Sequence, residues 1–198
     1  MNAPTLGQQR NHKRKIEILE AALAVLSEDG YGHASMDKIA ERALLTRVGL
    51  YKHFKDKNTL ILALREYKLG QLAEQVSRAL APIPDFETKL RTVVSQTMLY
   101  QQHNQGFFRV LLSSSFSQDF AVDLAIKPFI HTIEAVFQLG LEQGVIKIAH
   151  PLEYAGLLTT LVFEPSIKRA FIPIPNDFEP PSHLAELISG VFLHGVLL

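Results

Sequence analysis

Among the hydrogen-bond donors in the stretch from residue 47 to residue 57, Arg47, Tyr51, Lys52, His53 and Lys57 stand out. Their shared chemistry is recognition of anions and base edges. A guanidinium fork matches O6 and N7 of guanine, whereas a phenol, an ammonium or an imidazole N–H suits phosphate oxygens. Nothing points to a reaction. Ser113, Ser114 and Ser115 have no His and Asp pattern beside them, so nucleophilic catalysis is not expected. His131 and Glu134 share a helical face at a metal-compatible spacing, but there is no second such pair and no Cys. Neither a metal nor a cofactor is expected.

For the donors to act together, a rigid element must carry them. Residues 35–54 read SMDKIAERALLTRVGLYKHF: a short helix, a tight turn and a second short helix. Ser35 is a good N-cap for the first, with Asp37 favourable in its positive first turn. Ala40 and Ala43 are small enough for a steep crossing, and Ile39, Leu45 and Leu50 supply buried anchors. Thr46 caps the second helix, expected over 47–54. This leaves Arg47, Val48, Gly49, Tyr51, Lys52 and His53 around its exposed face and leading end, the end that enters the major groove in a helix-turn-helix reader. Arg47 is assigned to base edges. Tyr51, Lys52 and His53 are assigned to phosphates, as is Lys57 beside the free N–H groups of the next helix. Ser35 and Thr46 complete the expected DNA-binding set, and the partner is a double-stranded DNA operator.

The rest of the chain reads as helical too. Ile16, Leu19, Leu23 and Leu26 recur at helical spacing over 13–28, and Gly30 stops that helix. Asp56 caps a long helix from Lys57 to Leu80, ended by Pro82 and Pro84. Further helices are expected over 85–103 and 105–115, then one ending near Gly144 that Pro128 either opens or kinks. Two more are expected over 152–163 and 182–198. Residues 164–181 hold five of the ten prolines and are expected to form a loop. The fold class is all-α, with an N-terminal three-helix helix-turn-helix DNA-binding domain and a helical-bundle ligand-binding and dimerisation domain. The expected divisions are a flexible basic arm over 1–11, a DNA-binding domain over 12–57, and a regulatory and dimerisation domain over 58–198.

Residues such as Gly30-Tyr31, Ala34-Ser35-Met36, Ile39-Ala40, Leu50-Tyr51, His53-Phe54 and Lys57-x-x-Leu60 resemble the DNA-binding domain of TetR-family regulators. The likeness is strong from about residue 13 to residue 62 and fades beyond. It implies a homodimeric transcriptional regulator, most often a repressor, in which a small molecule bound in the C-terminal domain alters the spacing of two DNA-reading heads. Two residues depart from the family pattern. Leu44 stands where Gly is usual, so a left-handed residue costing about 1 kcal/mol is expected there. Gly49 inside a short helix costs roughly 1 kcal/mol relative to Ala, which suggests a close approach to DNA.

Composition agrees with this reading. The 198 residues have a net charge of zero, but Met1 to Lys57 hold ten Lys or Arg against seven Asp or Glu, and the remainder ten against thirteen. A basic front suits a molecule that meets phosphates at one end. Arg10, Lys13 and Arg14 are read first as solvated charge and second as a further DNA contact. With 47% hydrophobic residues a sizeable core is available. The absence of Cys agrees with a reducing cytoplasm, where the chain is expected to work. No signal peptide and no run of the roughly 20 apolar residues a membrane helix needs is seen.

In the C-terminal part, Gln96, Tyr100, His103 and His131 lie on apolar helices with Phe107, Phe108 and Leu111. Together they are expected to line a pocket for a small hydrophobic ligand. Tyr154, Leu157, Leu158 and Leu161 form one apolar face, and Leu184, Leu187, Ile188, Val191 and Phe192 another. Pairing both with their copies would make a four-helix dimer interface. The alternatives are a DNA-binding regulator without a small-molecule ligand, or a helical enzyme.

Overall fold

The computed structural model describes residues 5–115, 122–171 and 181–196. These residues form helices and their connections, with no strand among them. The helices are α1 (Leu6–Asp29), α2 (Met36–Arg42), α3 (Arg47–Tyr51), α4 (Lys57–Leu80), α5 (Phe86–His103), α6 (Gln105–Ser115), α7 (Val122–Glu142), α8 (Pro151–Phe171) and α9 (Pro181–Val196).

Local chemistry sets most boundaries. Asp56 and Asp85 each accept the N–H of the residue three further on, Thr59 at 2.7 Å and Thr88 at 2.8 Å, and so open α4 and α5. Gly30 and Gly144 end α1 and α7 at φ 76° and 67°, values that glycine adopts without strain. Beside Gly144, the Gln143 side chain donates to Pro84 O and accepts from Phe86 N, which ties the end of α7 to the start of α5.

Three expectations need correction, and the choice left open at Pro128 is decided. The arm over 1–11 is helical from Leu6 onward. The cause is a capping box: Thr5 Oγ1 accepts from Gln8 N, and Gln8 Oε1 accepts from Thr5 N at 2.8 Å. The second reader helix stops at Tyr51 rather than at residue 54. His53 N and Phe54 N both donate to Leu50 O, and Asp56 is already extended at φ −157°. The expected loop over 164–181 is helical up to Phe171, since α8 continues past Pro165 into residues of good helix propensity, Lys168, Arg169 and Ala170; residues 172–180 lie outside the described set. Pro128 stands inside α7 and does not open it.

Two apolar cores divide the molecule. The first gathers Ile18, Leu19, Ala22 and Leu26 of α1, Ile39 and Ala40 of α2, Leu50 of α3 and Phe54. It does not end at residue 57: Leu60, Ile61 and Leu64 of α4 belong to it, and so does Val110 of α6. The second is larger and aromatic, built on Phe86, Phe107, Phe108, Phe129, Phe137 and Phe192, with aliphatic residues of α4 to α9 around them. Leu23 packs against both. Helix α4 therefore runs through both cores.

Candidate nucleic-acid interface

The reader unit is held from below and left open above. Ile39, Ala40 and Leu50 are almost fully buried, and Ala43 nearly so. Ser35 Oγ accepts from Lys38 N at 3.3 Å and Thr46 Oγ1 from Gly49 N at 3.1 Å, so both short helices carry the caps that their sequence implied. Two largely exposed ion pairs, each a modest contribution, also bridge α2 and α1. Lys38 Nζ lies 2.6 Å from Asp29 Oδ2, and Arg42 pairs with Glu28.

Above this base, Val48 is 68% exposed and Tyr51 40% exposed, and Arg47 and Lys52 also face solvent. His53 is half-buried. Arg47 packs its guanidinium 5.7 Å from the Tyr51 ring centroid and sits 3.3 Å from Asp37 Oδ2. Both partners of that ion pair are mostly exposed, so it contributes little and exchanges readily for a base edge or a phosphate. Arg47 and Tyr51, one turn apart, thus form a donor pair along the outer face of α3.

The turn is strained as expected. Leu44 has φ 53°, the one positive φ outside glycine among the described residues, and its side chain is 90% exposed. What steadies it was not legible in the sequence. Arg14 of α1 donates from Nη2 to Ala43 O at 3.0 Å and to Leu44 O at 3.4 Å, while its Nη1 holds Glu17 at 2.7 Å. An arginine separated by about thirty positions leaves no local pattern to read. Gly49 has an intramolecular reason as well. A Cβ there would stand 3.2 Å from Thr46 Oγ1 and 3.4 Å from Leu45 Cδ2, so glycine keeps room for the cap.

Lys57 departs from its expected role as an open phosphate clamp. Its Nζ donates to Tyr31 O and, at 2.7 Å, to Ala34 O, and lies 4.4 Å from the Tyr31 ring centroid. Two of its three N–H donors are spent on the α1–α2 loop, and burial lowers its pKa from the ordinary lysine value. Tyr31 Oη in turn lies 3.3 Å from Asn58 Oδ1. The lysine first binds the start of α4 to the reader.

In the body, the residues expected to line one pocket are divided. Tyr100, Phe107, Phe108 and Leu111 come together in the aromatic core, with Phe107 and Phe108 centroids 5.2 Å apart and Tyr100 and Phe108 6.3 Å apart. Tyr100 Oη donates to Lys68 O at 2.7 Å, and burial, followed by the charge of Glu20, pushes its pKa well up. Gln96 accepts from Gln75 Nε2 at 3.2 Å. His103 is exposed and lines a polar cavity of about 250 Å³ with Gln71, Glu74, Gln75, Arg78, Tyr100 and Asn104. His131 does not join the set. It lies on the outer face of α7, its Nδ1 2.9 Å from Glu134 Oε2, beside a second, more apolar cavity of about 490 Å³ that Leu80, Pro128 and Val136 help to line. Phe129 and Ile133 take the inward face of α7, so helical geometry turns residue 131 outward.

The two apolar faces near the C-terminus are split in the same way. Leu158, Ile188 and Phe192 are buried in the body core, with Tyr154 and Leu184 partly buried against it. Leu157 and Leu161 on α8, and Leu187 and Val191 on α9, are 40% to 60% exposed and repeat at four-residue spacing.

A helical head that presents the start of a short helix, joined to a larger helical body, defines a helix-turn-helix DNA-binding transcriptional regulator. Residues 18–64, which make up the head, match the model of the bacterial regulatory proteins of the tetR family. It is 24% identical over 143 residues to the Fatty acid metabolism regulator protein of Bacillus subtilis, covering 70% of this chain and 74% of that one. To the HTH-type transcriptional activator FasR of Mycolicibacterium smegmatis it is 29% identical over 142 residues, covering 69% of this chain and 65% of the relative. Among solved structures, the transcriptional regulator FadR from Bacillus subtilis in complex with stearoyl-CoA superposes with a TM-score of 0.76 at 20% identity, covering 91% and 98% of the two chains. None of the helices formed by the described residues is long and apolar enough to cross a membrane.

Proposed function

We propose that the chain is a cytoplasmic, homodimeric repressor that reads a two-fold operator with α3 and leaves it when a small hydrophobic ligand enters the body. The observation that carries this reading is the leading end of α3. Arg47 and Val48 face outward there, and Tyr51 and Lys52 do so at the far end, on a helix whose cap, anchors and clamps are satisfied from within. Arg47 reads a base edge. Tyr51, Lys52 and His53 hold phosphates, with the remaining N–H of Lys57 in support. Two copies pair through the exposed stripe Leu157, Leu161, Leu187 and Val191, which sets the distance between the two heads.

The ligand class follows from the body's chemistry and from its relatives. The interior is aromatic and aliphatic, with few polar anchors, and the named relatives include a fatty acid metabolism regulator and a structure bound to stearoyl-CoA. A long acyl chain carried by coenzyme A matches the apolar chemistry of that interior. To enter, it must part the rings around Phe108, which lies 5.5 Å from Phe163 between centroids, with Phe163 5.9 Å from Phe129. Tight ring packing is also what the ligand-free alternative would show. Thermal unfolding in the presence of stearoyl-CoA separates the two. A binder at one hundred times its Kd stabilises by about 2.7 kcal/mol, and an unchanged melting point across saturated and unsaturated acyl-CoA thioesters rejects the ligand reading. For the reader, Arg47→Ala should cost about 1–3 kcal/mol on the selected operator and much less on random duplex. An unaltered ratio of the two affinities removes Arg47 from base reading.

A further inference from the structure

We propose that the first turns of α1 form a rigid basic prong that grips the DNA backbone beside the stretch that α3 reads; this rests on the DNA-binding reading above. Residues 6–15 precede the first core residue of the head, Ile18. They contribute no side chain to either apolar core, and every residue from Leu6 to Lys13 is exposed. A helix of ten residues spans about 15 Å. Standing alone it would be marginal, but the Thr5–Gln8 capping box and continuity with α1 keep it formed.

Its charge and its position point the same way. From Thr5 to Ile16 the sequence holds Arg10, Lys13, Arg14 and Lys15 and no acid; the nearest carboxylate, Glu17, is held by Arg14. Among the described residues, none of Arg10, Lys13 and Lys15 is ion-paired, and all three are exposed. Arg14 fixes where the prong lies. Its bonds to the carbonyls of Ala43 and Leu44 place that face of α1 on the turn that leads into Arg47. Arg10 and Asn11, four and three residues earlier, repeat the same face one turn further out. Lys13 borders it. A cationic helix extending from the turn of the reader has one complementary occupant within reach, the phosphates that flank the half-site. Arg14, by contrast, is a positioning residue, already bound to the turn.

The test uses the full chain and a random-sequence duplex, so that phosphate contacts are read without base contacts. Binding is measured against salt concentration. Arg10→Ala with Lys13→Ala should weaken binding and flatten the salt slope by roughly two per head, with the melting point unchanged because neither side chain touches the core. Asn11→Pro keeps both charges but interrupts the helix; it should flatten the slope as well. A double variant with the parent's affinity and slope overturns the prong while leaving the reader intact. If Asn11→Pro binds like the parent, the charges act without the helix and the rigid prong is wrong. If the parent chain itself does not bind duplex DNA, the DNA-binding reading falls first, and Arg47→Ala then has nothing left to change.

Discussion

In the head, α2 and α3 run for seven and five residues, whereas α4, α7 and α8 in the body run for 24, 21 and 21. Helices as short as the first two are not stable alone. Each is therefore clamped by polar groups: Ser35 and Thr46 as caps, Lys38 and Arg42 as ion pairs to α1, Arg14 on the turn and Lys57 on the preceding loop. Those clamps hold the unit by its edges and underside, which keeps the leading end of α3 open to a partner. The body reverses the arrangement. Its helices are long enough to bury whole faces, and rings such as Phe86, Phe137 and Phe192 fill its centre. Polar groups there, such as Gln101 donating to Val162 O at 2.7 Å, are satisfied one by one.

The sharpest way to break this contrast is to cut each core at its centre. Phe129→Ala in the body should cost about 3–5 kcal/mol and Leu50→Ala in the head about 2–5 kcal/mol, both in denaturant unfolding. Because α4 and Val110 join the two cores, each variant should unfold in one transition. Two separate transitions would mean that head and body are independent.

Removing a clamp is the next step down. Thr46→Ala should destabilise the chain by about 1 kcal/mol and weaken DNA binding, since α3 loses its cap. An equal loss of DNA binding from removing a cap in the body, for instance Asp85→Ala at the start of α5, would show that caps matter no more in the head than elsewhere.

Acid probes the same clamps at the α4 boundary. Hydrogen bonds from Thr59 hold the Asp56 carboxyl below the usual aspartate value, and those from Thr88 do the same for Asp85. A depressed native pKa means that the stabilisation is present above the unfolded aspartate range and disappears as the pH falls through the native value. Asp56→Asn keeps a capping oxygen that does not titrate, so it should flatten the acid limb of the stability profile. The parent's acid limb in that variant would place the sensitivity elsewhere.

The smallest expected effect is Leu44→Gly. It relieves a left-handed leucine and should add a few tenths to about 1 kcal/mol of stability, part of which the greater freedom of glycine in the unfolded chain removes. A loss would mean that the exposed Leu44 side chain has a contact of its own.

Much of the head was legible. Ser35, Thr46 and Asp56 are caps in the sequence and in the structure, and the left-handed Leu44 follows from a leucine where glycine is usual. The T-x-x-Q capping box at Thr5 was there to be read, and would have placed the start of α1 at Leu6. The body was legible as helices and apolar faces. It was not legible as a site, because whether Tyr100, His103 and His131 meet depends on how α5 and α7 rotate against their neighbours.

Most helices, the caps Ser35, Thr46 and Asp56, and the outward donors of α3 can be read from the chain alone. These follow from spacing and from bonds spanning three or four residues, which a chain carries whatever its fold. Helix packing settles that Lys57 supports a loop, that Arg14 holds the reader's turn, that His131 leaves the pocket set, and that four of the nine apolar residues on the α8 and α9 faces remain outside. Each of those turns on groups tens of residues apart that meet only when the helices pack, and the burial of each side chain is set by which neighbour arrives.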